Sequence, residues 1–552
     1  MSTAPSSTDP TNGHPAGPST GPSTGPARHS ARPSARPSAL HWARGLWQAV
    51  RGAFGDVVPL IRFRGAGLRG ASRIAAGLGL TTIVLLTVLA GWLPAYLPGA
   101  AASERSEAIR MLLPAAYLGV LFLAIVSVVA SGGGRELLPR EQAVAFPVSP
   151  ATDHLGALLM APLNIAWLVQ SWVTLGATAY VVGDGWHLAA AQTPVLVWLL
   201  AATALAQVAG WAAEWVRRGR YGSWLSKALA AMPLAGAAAV VTTGSFDGLV
   251  DGAPTQWVAR GVELGAHGSW LGWLVVVCGL LVVTLLAVGL GAAGAQRVAL
   301  RPARDELRLE SSTRPPRANP GSDLAALLRI DRVGIWRSVP LRRGFLVLAT
   351  LPGLGAVAAG LDWEASIILP GLVASAAALL FGVNSWCLDG RGALWRDSLP
   401  ISPVVAFTSR VFVLLEPVVL AITLTVVLAS LRAGAPTGSQ LVAMLCAAVV
   451  GSLQVVAFSL RWSVRRPFAV DMRSARATPA PPLVMVGYST RLALSTTLTG
   501  LLFTITARVP DWRWSLLLAL VLVALSGFKL RRTSTEWADP QIRSRVISTV
   551  AS

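Results

Sequence analysis

Long apolar runs broken by short, arginine-bearing polar stretches dominate this chain. The alternating period of two that a membrane barrel would need is absent. The runs predict spans at roughly 74–97, 111–131, 155–182, 193–216, 225–245, 269–295, 345–361, 366–386, 404–431, 440–460, 483–507 and 514–530. Most meet the ~18–20 residues that cross the hydrocarbon layer as a helix. Backbone groups in lipid must pair within their own segment, so helices are the expected form. The expected fold class is an all-α polytopic membrane protein with about twelve transmembrane helices.

The polar stretches set the organisation. Residues 1–40 are rich in Pro, Ser, Thr and Gly, with Gly-Pro-Ser-Thr repeated near 17–24. Such a composition cannot bury a core, and it lacks the apolar centre of a signal peptide. It is expected to be a disordered cytoplasmic tail. A first transmembrane half spans 41–296. It opens on an interfacial helix that interleaves Trp42, Trp47, Val50 and Val57 with Arg44, Arg51 and Arg62. A Pro-containing charged linker covers 297–322. The second half spans 323–531 and opens likewise, with Leu327, Leu328, Ile335 and Trp336 among Arg329, Arg332 and Arg337. Residues 532–552 are expected to form a cytoplasmic C-terminal tail.

Charge orients the chain. Its 552 residues carry 46 Lys and Arg against 26 Asp and Glu, a net +20. With the N-terminus inside, the external basic residues are Arg105, Arg110, Arg260, Arg432, Arg508 and Arg513. Arg491 lies within a span, and nearly all the rest fall in or beside cytoplasmic segments. This positive-inside bias places both termini in the cytoplasm. It also accounts for the basic charge without a nucleic-acid partner; anionic membrane lipids are the expected partners of the basic segments. Cys278, Cys387 and Cys446 show no paired spacing, so neither a disulfide framework nor a zinc site is expected. Arginine has almost replaced lysine, which with the abundant Ala and Gly fits a GC-rich bacterial genome; in a bacterium the expected location of such a chain is the inner membrane.

One short pattern occurs twice. Phe146-Pro147-Val148-Ser149-Pro150 follows the second span, and Leu399-Pro400-Ile401-Ser402-Pro403 follows the eighth. Each is preceded by a charged, helix-capable stretch that includes Glu136 in the first copy and Arg396 and Asp397 in the second. Proline locks the turn, Ser149 and Ser402 are placed to cap the next helix, and Pro150 and Pro403 suit its first position. A helix start alone needs no such repetition. A rigid elbow used twice, at 135–150 and 389–403, can pass a push between a cytoplasmic partner and the flanking spans. Trp215-Val216-Arg217-Arg218 and Trp462-Ser463-Val464-Arg465-Arg466 likewise recur, after the fourth and tenth spans. Together these repeats predict two parallel six-helix repeats.

With these motifs the chain resembles the permeases of ABC-2-type exporters, in a fused form carrying both transmembrane halves. The resemblance implies six spans per half, an amphipathic helix before the first, and a coupling region after the second, where both Pro-(Val/Ile)-Ser-Pro copies stand. It implies export, driven by two ABC-type ATPase subunits docking on the elbows. A departure is the loop before the last span, long in the first half (246–268) and short in the second (508–513).

No Gly-x4-Gly-Lys-Ser/Thr loop surrounds Lys227 or Lys529, the only two lysines. The chain is therefore expected to be no enzyme and to hold no cofactor, with ATP and Mg on the partner subunit. The histidines are scattered, and Asp153-His154 reads as a solvated helix start rather than an acid–base pair. Glu214, beside Arg217 and Arg218, reads as part of a surface pair. Two ionisable residues stand out inside spans, Glu416 and Arg491, as candidates for an ion pair, for snorkelling of Arg491 toward the interface, or for a substrate path. An ion-coupled secondary carrier is the alternative in transport, but it needs more titratable groups near the midplane. A membrane scaffold is the alternative outside transport.

Overall fold

The computed structural model describes most of residues 51–62, and residues 71–131, 148–219, 252–301, 320–469 and 482–551 except positions 164, 338 and 391, with isolated positions at 222, 224, 235, 239 and 318. Among the described residues every regular element is helical. In the first half these are α1 (Ala71–Trp92), α2 (Glu104–Ser131), α3 (Pro150–Met160), α4 (Ile165–Val182), α5 (Leu188–Arg217), α6 (Gln256–Ala266) and α7 (Trp270–Ala299). The second half contains α8 (Asp323–Arg337), α9 (Val339–Ala358), α10 (Leu369–Ala377), α11 (Gly392–Asp397), α12 (Pro403–Ser430), α13 (Gly438–Arg465), α14 (Pro482–Ala507), α15 (Arg513–Ala538) and α16 (Pro540–Ala551). The expected tail 1–40 lies outside the described residues.

Eight helical segments among the described residues are long and apolar enough to cross a membrane: Gly77–Tyr96, Glu104–Val129, Leu188–Arg217, Trp270–Ala299, Trp363–Leu380, Pro403–Ser430, Gly438–Arg465 and Arg513–Ala538. Leu78, Val84, Leu85 and Val88 of α1 and Leu520, Val521 and Phe528 of α15 remain exposed on their surfaces. Rows of bare aliphatic groups of this kind suit hydrocarbon rather than water. The chain is an all-helical, multi-pass membrane protein.

The remaining expected spans take other forms. The run 155–182 is divided between α3 and α4 by a tight turn at Ala161–Leu163, because Pro162 removes a donor from the ladder. The run 225–245 lies almost wholly outside the described residues. Within α9 the apolar stretch is Gly344–Val357. α14 is long enough but less apolar, carrying Arg491 and many Ser and Thr. Its hydroxyls bond back to its own carbonyls, as from Thr496 to Leu492 at 3.0 Å, or across to α13, where Thr499 donates to Gln454 at 3.0 Å. Such polar contacts hold helices together where burial in lipid brings no hydrophobic gain.

α5 is the core of the first half, packed by α7, α2 and α6, and α13 holds the same position among α15, α14 and α10. Other neighbours correspond in order: α1 with α4 and α9 with α12, α2 with α4 and α10 with α12, α3 with α7 and α12 with α15. The halves touch through α2 against α9 and α1 against α14. The described residues among 51–62 are helical, and Ala53 and Val57 pack with Ala151, Leu155 and Ala292. Before the last span, the first half carries the helix α6 and the second only a turn at 508–512.

Two expectations about the chain's polar segments change. Residues 532–552 do not trail away. α15 continues to Ala538, and α16 turns back and buries Val546, Ile547 and Val550. His154 is fully buried, not solvated: its Nδ1 accepts a hydrogen bond from Trp211 Nε1 at 3.1 Å. Gly291 of α7 makes this possible, since a Cβ there would stand 2.3 Å from the imidazole.

Candidate functional site

The second elbow is described in full except for position 391, and its geometry begins inside α10. After Ala377 the helix widens into a π-turn over Ala378–Gly382, then tightens into a 3-10 turn at Ser385–Leu388. Widening the turn frees carbonyls from the regular ladder. Gly382 O accepts from Ser385 Oγ and Ser463 Oγ, both at 3.1 Å, and Ser385 N donates to Ser463 Oγ at 3.0 Å. Tyr488 OH bonds Ser459 Oγ at 2.7 Å beside the same turn. Gly382 has no alternative here, because a Cβ would stand 2.3 Å from Ser459 Oγ.

From the 3-10 turn the chain enters α11, turns through Leu399-Pro400-Ile401-Ser402, and starts α12 at Pro403. The turn is closed by Ile401 N donating to Leu399 O at 2.7 Å. Ser402 occupies the cap position, yet its side chain makes no capping bond; its carbonyl accepts from Ala406 N instead, at 3.1 Å. This departs from the expected side-chain cap. Ser149 does cap: its Oγ accepts from Thr152 N at 3.0 Å, with Pro150 at the first helical position of α3. Thr152 also donates to Asp56 at 3.2 Å, joining α3 to the helical segment before α1. Glu136, Phe146 and Pro147 of the first elbow lie outside the described residues.

The centre of the second elbow is a set of four charges, two of them buried and two partly so. Arg396 of α11 grips Asp331 of α8 with both nitrogens, Nη1–Oδ1 at 2.5 Å and Nη2–Oδ2 at 3.1 Å. The same Nη1 lies 3.3 Å from Asp389. Arg410 of α12 reaches Asp389 at 2.5 Å and Asp331 at 3.5 Å, and Ser409 donates to Asp331 at 2.7 Å. Asp331 and Arg410 are fully buried, so each charge depends on its partners. Burial pushes the Asp331 carboxyl up. The positive charge of Arg410 and the bonds from Arg396 and Ser409 outweigh it and hold the group below the usual carboxylate range. Both carboxylates are committed to guanidinium partners. The cluster is suited to holding three elements together rather than to moving a proton.

Around this centre the elbow is braced on one side and open on another. Trp386 lies between Arg410, whose guanidinium is 5.1 Å from its ring centre, and Trp537, stacked on it at 3.8 Å. Asp397 accepts from Arg543 Nε of α16 at 2.9 Å. A cavity of about 230 Å³ sits between α8 and α11, lined by Leu327, Ile330, Trp395 and Leu399 with the charge cluster beside them. Leu394 and Trp395 project outward, 57% and 61% exposed, and Pro400 is exposed too.

Glu416 and Arg491 are given different partners. Glu416 accepts from Arg332 Nε of α8 at 2.7 Å, with both groups substantially exposed. Arg491 lies 5.8 Å from the ring centre of Trp462. Glu214 bonds Arg218 at 2.8 Å and also pairs with Arg217, but the group is buried rather than superficial. Among the described residues no cluster of His, Cys, Asp and Glu is arranged to hold a metal.

Sequence reasoning missed Asp331, Asp389 and Arg410. Arg410 stands seven residues into an apolar run, where an ionisable group already marks a candidate. No protein-family model, curated protein or solved structure matches this chain.

Proposed function

We propose that the chain is the membrane-spanning permease of an ATP-driven exporter of the ABC-2 type, in a bacterial inner membrane with both termini cytoplasmic. Separate ATP-binding subunits, carrying ATP and Mg, dock on the two elbows. Twelve spans form two parallel six-helix repeats, a reading supported by the matched order of neighbours in the two halves.

The observation that carries the proposal is the four-charge cluster. Arg396 on α11 is bonded to α8 and, through Asp389, to Arg410 on α12. A push on α11 therefore reaches the interfacial helix and a span together, and the exposed Leu394 and Trp395 offer a partner an apolar foothold. Where a tryptophan is a hot spot of an interface, its truncation costs ~2 kcal/mol or more.

The test is co-purification of the full chain from native membranes with mass spectrometry of bound proteins, wild type against Leu394→Asp/Trp395→Ala. These exposed positions leave the charge cluster intact, and equal membrane insertion is verified first. A P-loop ATPase that binds wild type and is lost from the variant is the expected result. Absence of any ATPase from the wild-type sample, or undiminished binding by the variant, overturns the proposal.

A further inference from the structure

Nothing in the sequence pattern gives the last residues a role, yet the structure folds them onto the second elbow. α15 ends at Ala538, and Asp539 is extended ahead of Pro540, as a residue before proline prefers. Asp539 then starts α16, its Oδ1 accepting from Gln541 N at 2.8 Å. This one-residue joint returns α16 to the elbow. Val546, Ile547 and Val550 enter the same buried cluster as Trp386, Cys387 and Ala393. Arg543 bridges Asp397 at 2.9 Å and the Ala538 carbonyl at 3.3 Å. Trp537, just before the joint, completes the Arg410–Trp386–Trp537 stack.

The elbow thus has two kinds of support. The Asp331/Asp389/Arg396/Arg410 cluster is centred on the buried Asp331 and Arg410, with Asp389 and Arg396 partly exposed, whereas α16 is held by one partly exposed ion pair and four aliphatic side chains, Ile542, Val546, Ile547 and Val550. Its joint is a single extended residue. A π-turn at Ala378–Gly382 lies on the other side of the elbow, and such turns accompany functional irregularities in helices. A twelve-residue helix at the end of the described chain, joined through a single extended residue, can open as a local unit at lower cost than the spans it packs on.

We propose that α16 is a latch on the second elbow: docked, it fixes α11 and the 3-10 turn in the position observed, and its release frees them to move. The latch is independent of what docks at the elbow, so its test requires no partner.

Cys387 reports on the latch directly. It is buried beneath α16, and burial pushes its thiol up to about 12, so a maleimide reacts only when the elbow opens to water. Cys446, buried in α13, reports on the membrane core. The experiment measures the rate of N-ethylmaleimide labelling at each cysteine by peptide mass spectrometry, on the full chain in lipid nanodiscs. Arg543→Glu sets two carboxylates against each other and is expected to speed Cys387 labelling about fivefold. Trp537→Ala is expected to speed it tenfold or more. Asp397→Arg/Arg543→Glu, with the pair reversed, is expected to return the rate to within twofold of wild type, and Cys446 stays protected throughout. Rates at Cys387 unchanged in both single variants would overturn the latch. So would a parallel rise at Cys446, which would make α16 a pillar of the whole fold, or failure of the reversed pair to restore protection.

Discussion

Replacing Asp331 with Asn tests whether the charge cluster holds the elbow. The substitution keeps the side chain's size and removes only its charge. Asp331 now receives two bonds from Arg396, one from Ser409 and the nearby charge of Arg410. In the variant, Arg410, 1% exposed at its side chain, keeps Asp389 as its only carboxylate. Leaving a buried charge short of its partner costs about 3–5 kcal/mol. The comparison is Glu416→Gln, which breaks the other ion pair between the same two helices. That pair is 53% and 36% exposed, a setting where pairs contribute about 0–1 kcal/mol. At about 2–4 °C per kcal/mol for a unit the size of one half, Asp331→Asn should lower the thermal midpoint by roughly 6 °C or more. Tryptophan fluorescence of the detergent-purified chain on heating gives both midpoints. The pH dependence carries a sign. The folded carboxyl of Asp331 is held below its unfolded value of about 3.9, so its contribution is complete above that pH and is lost on further acidification through the folded value. The gap between wild type and Asp331→Asn should therefore be constant from pH 5 to 8 and close only below about pH 4. An Asp331→Asn midpoint no lower than that of Glu416→Gln, or a gap already gone at pH 6, would refute the reasoning.

Three further outcomes follow from local geometry. Gly382→Ala, whose new methyl meets Ser459 Oγ at 2.3 Å and its Cβ at 2.8 Å, should cost about 1–3 kcal/mol as overpacking, read as a lower thermal midpoint. Ser149→Ala removes a side-chain cap and should cost about 1 kcal/mol, whereas Ser402→Ala, in the twin motif but without such a bond, should be nearly neutral on the same assay. Trp211→Phe leaves the buried His154 Nδ1 without its donor, and the loss should be about 1–3 kcal/mol in urea or thermal unfolding.

The twin elbow motif shows how far sequence reasoning reached. Pro403 begins α12 and Pro150 begins α3, as proline's fixed φ and missing donor require of a first helical residue. The caps then diverge, because whether a serine hydroxyl meets a backbone N–H depends on the approach of the preceding turn. Arg396 and Asp397 were singled out as charges on the elbow, but not as a pair serving two other helices. Their partners, Asp331 and Arg543, are 65 and 146 residues away along the chain. No local spacing encodes contacts of that kind. Glu416 and Arg491 were legible as ionisable groups in apolar runs, but their neighbours were not: Glu416 pairs with Arg332 and Arg491 lies beside Trp462.

What the sequence determined by itself is the all-helical, membrane-crossing character, because the length and apolarity of each run and the need to pair backbone groups in lipid are local properties. It also determined where helices begin, wherever proline and capping residues decide that. The tertiary structure alone decided which charges share a buried site, that His154 and Glu214 are inside, and that the last helix returns to the second elbow. Those outcomes depend on which faces meet once helices pack, and a charge is tolerated in such a place only when a distant partner arrives with it.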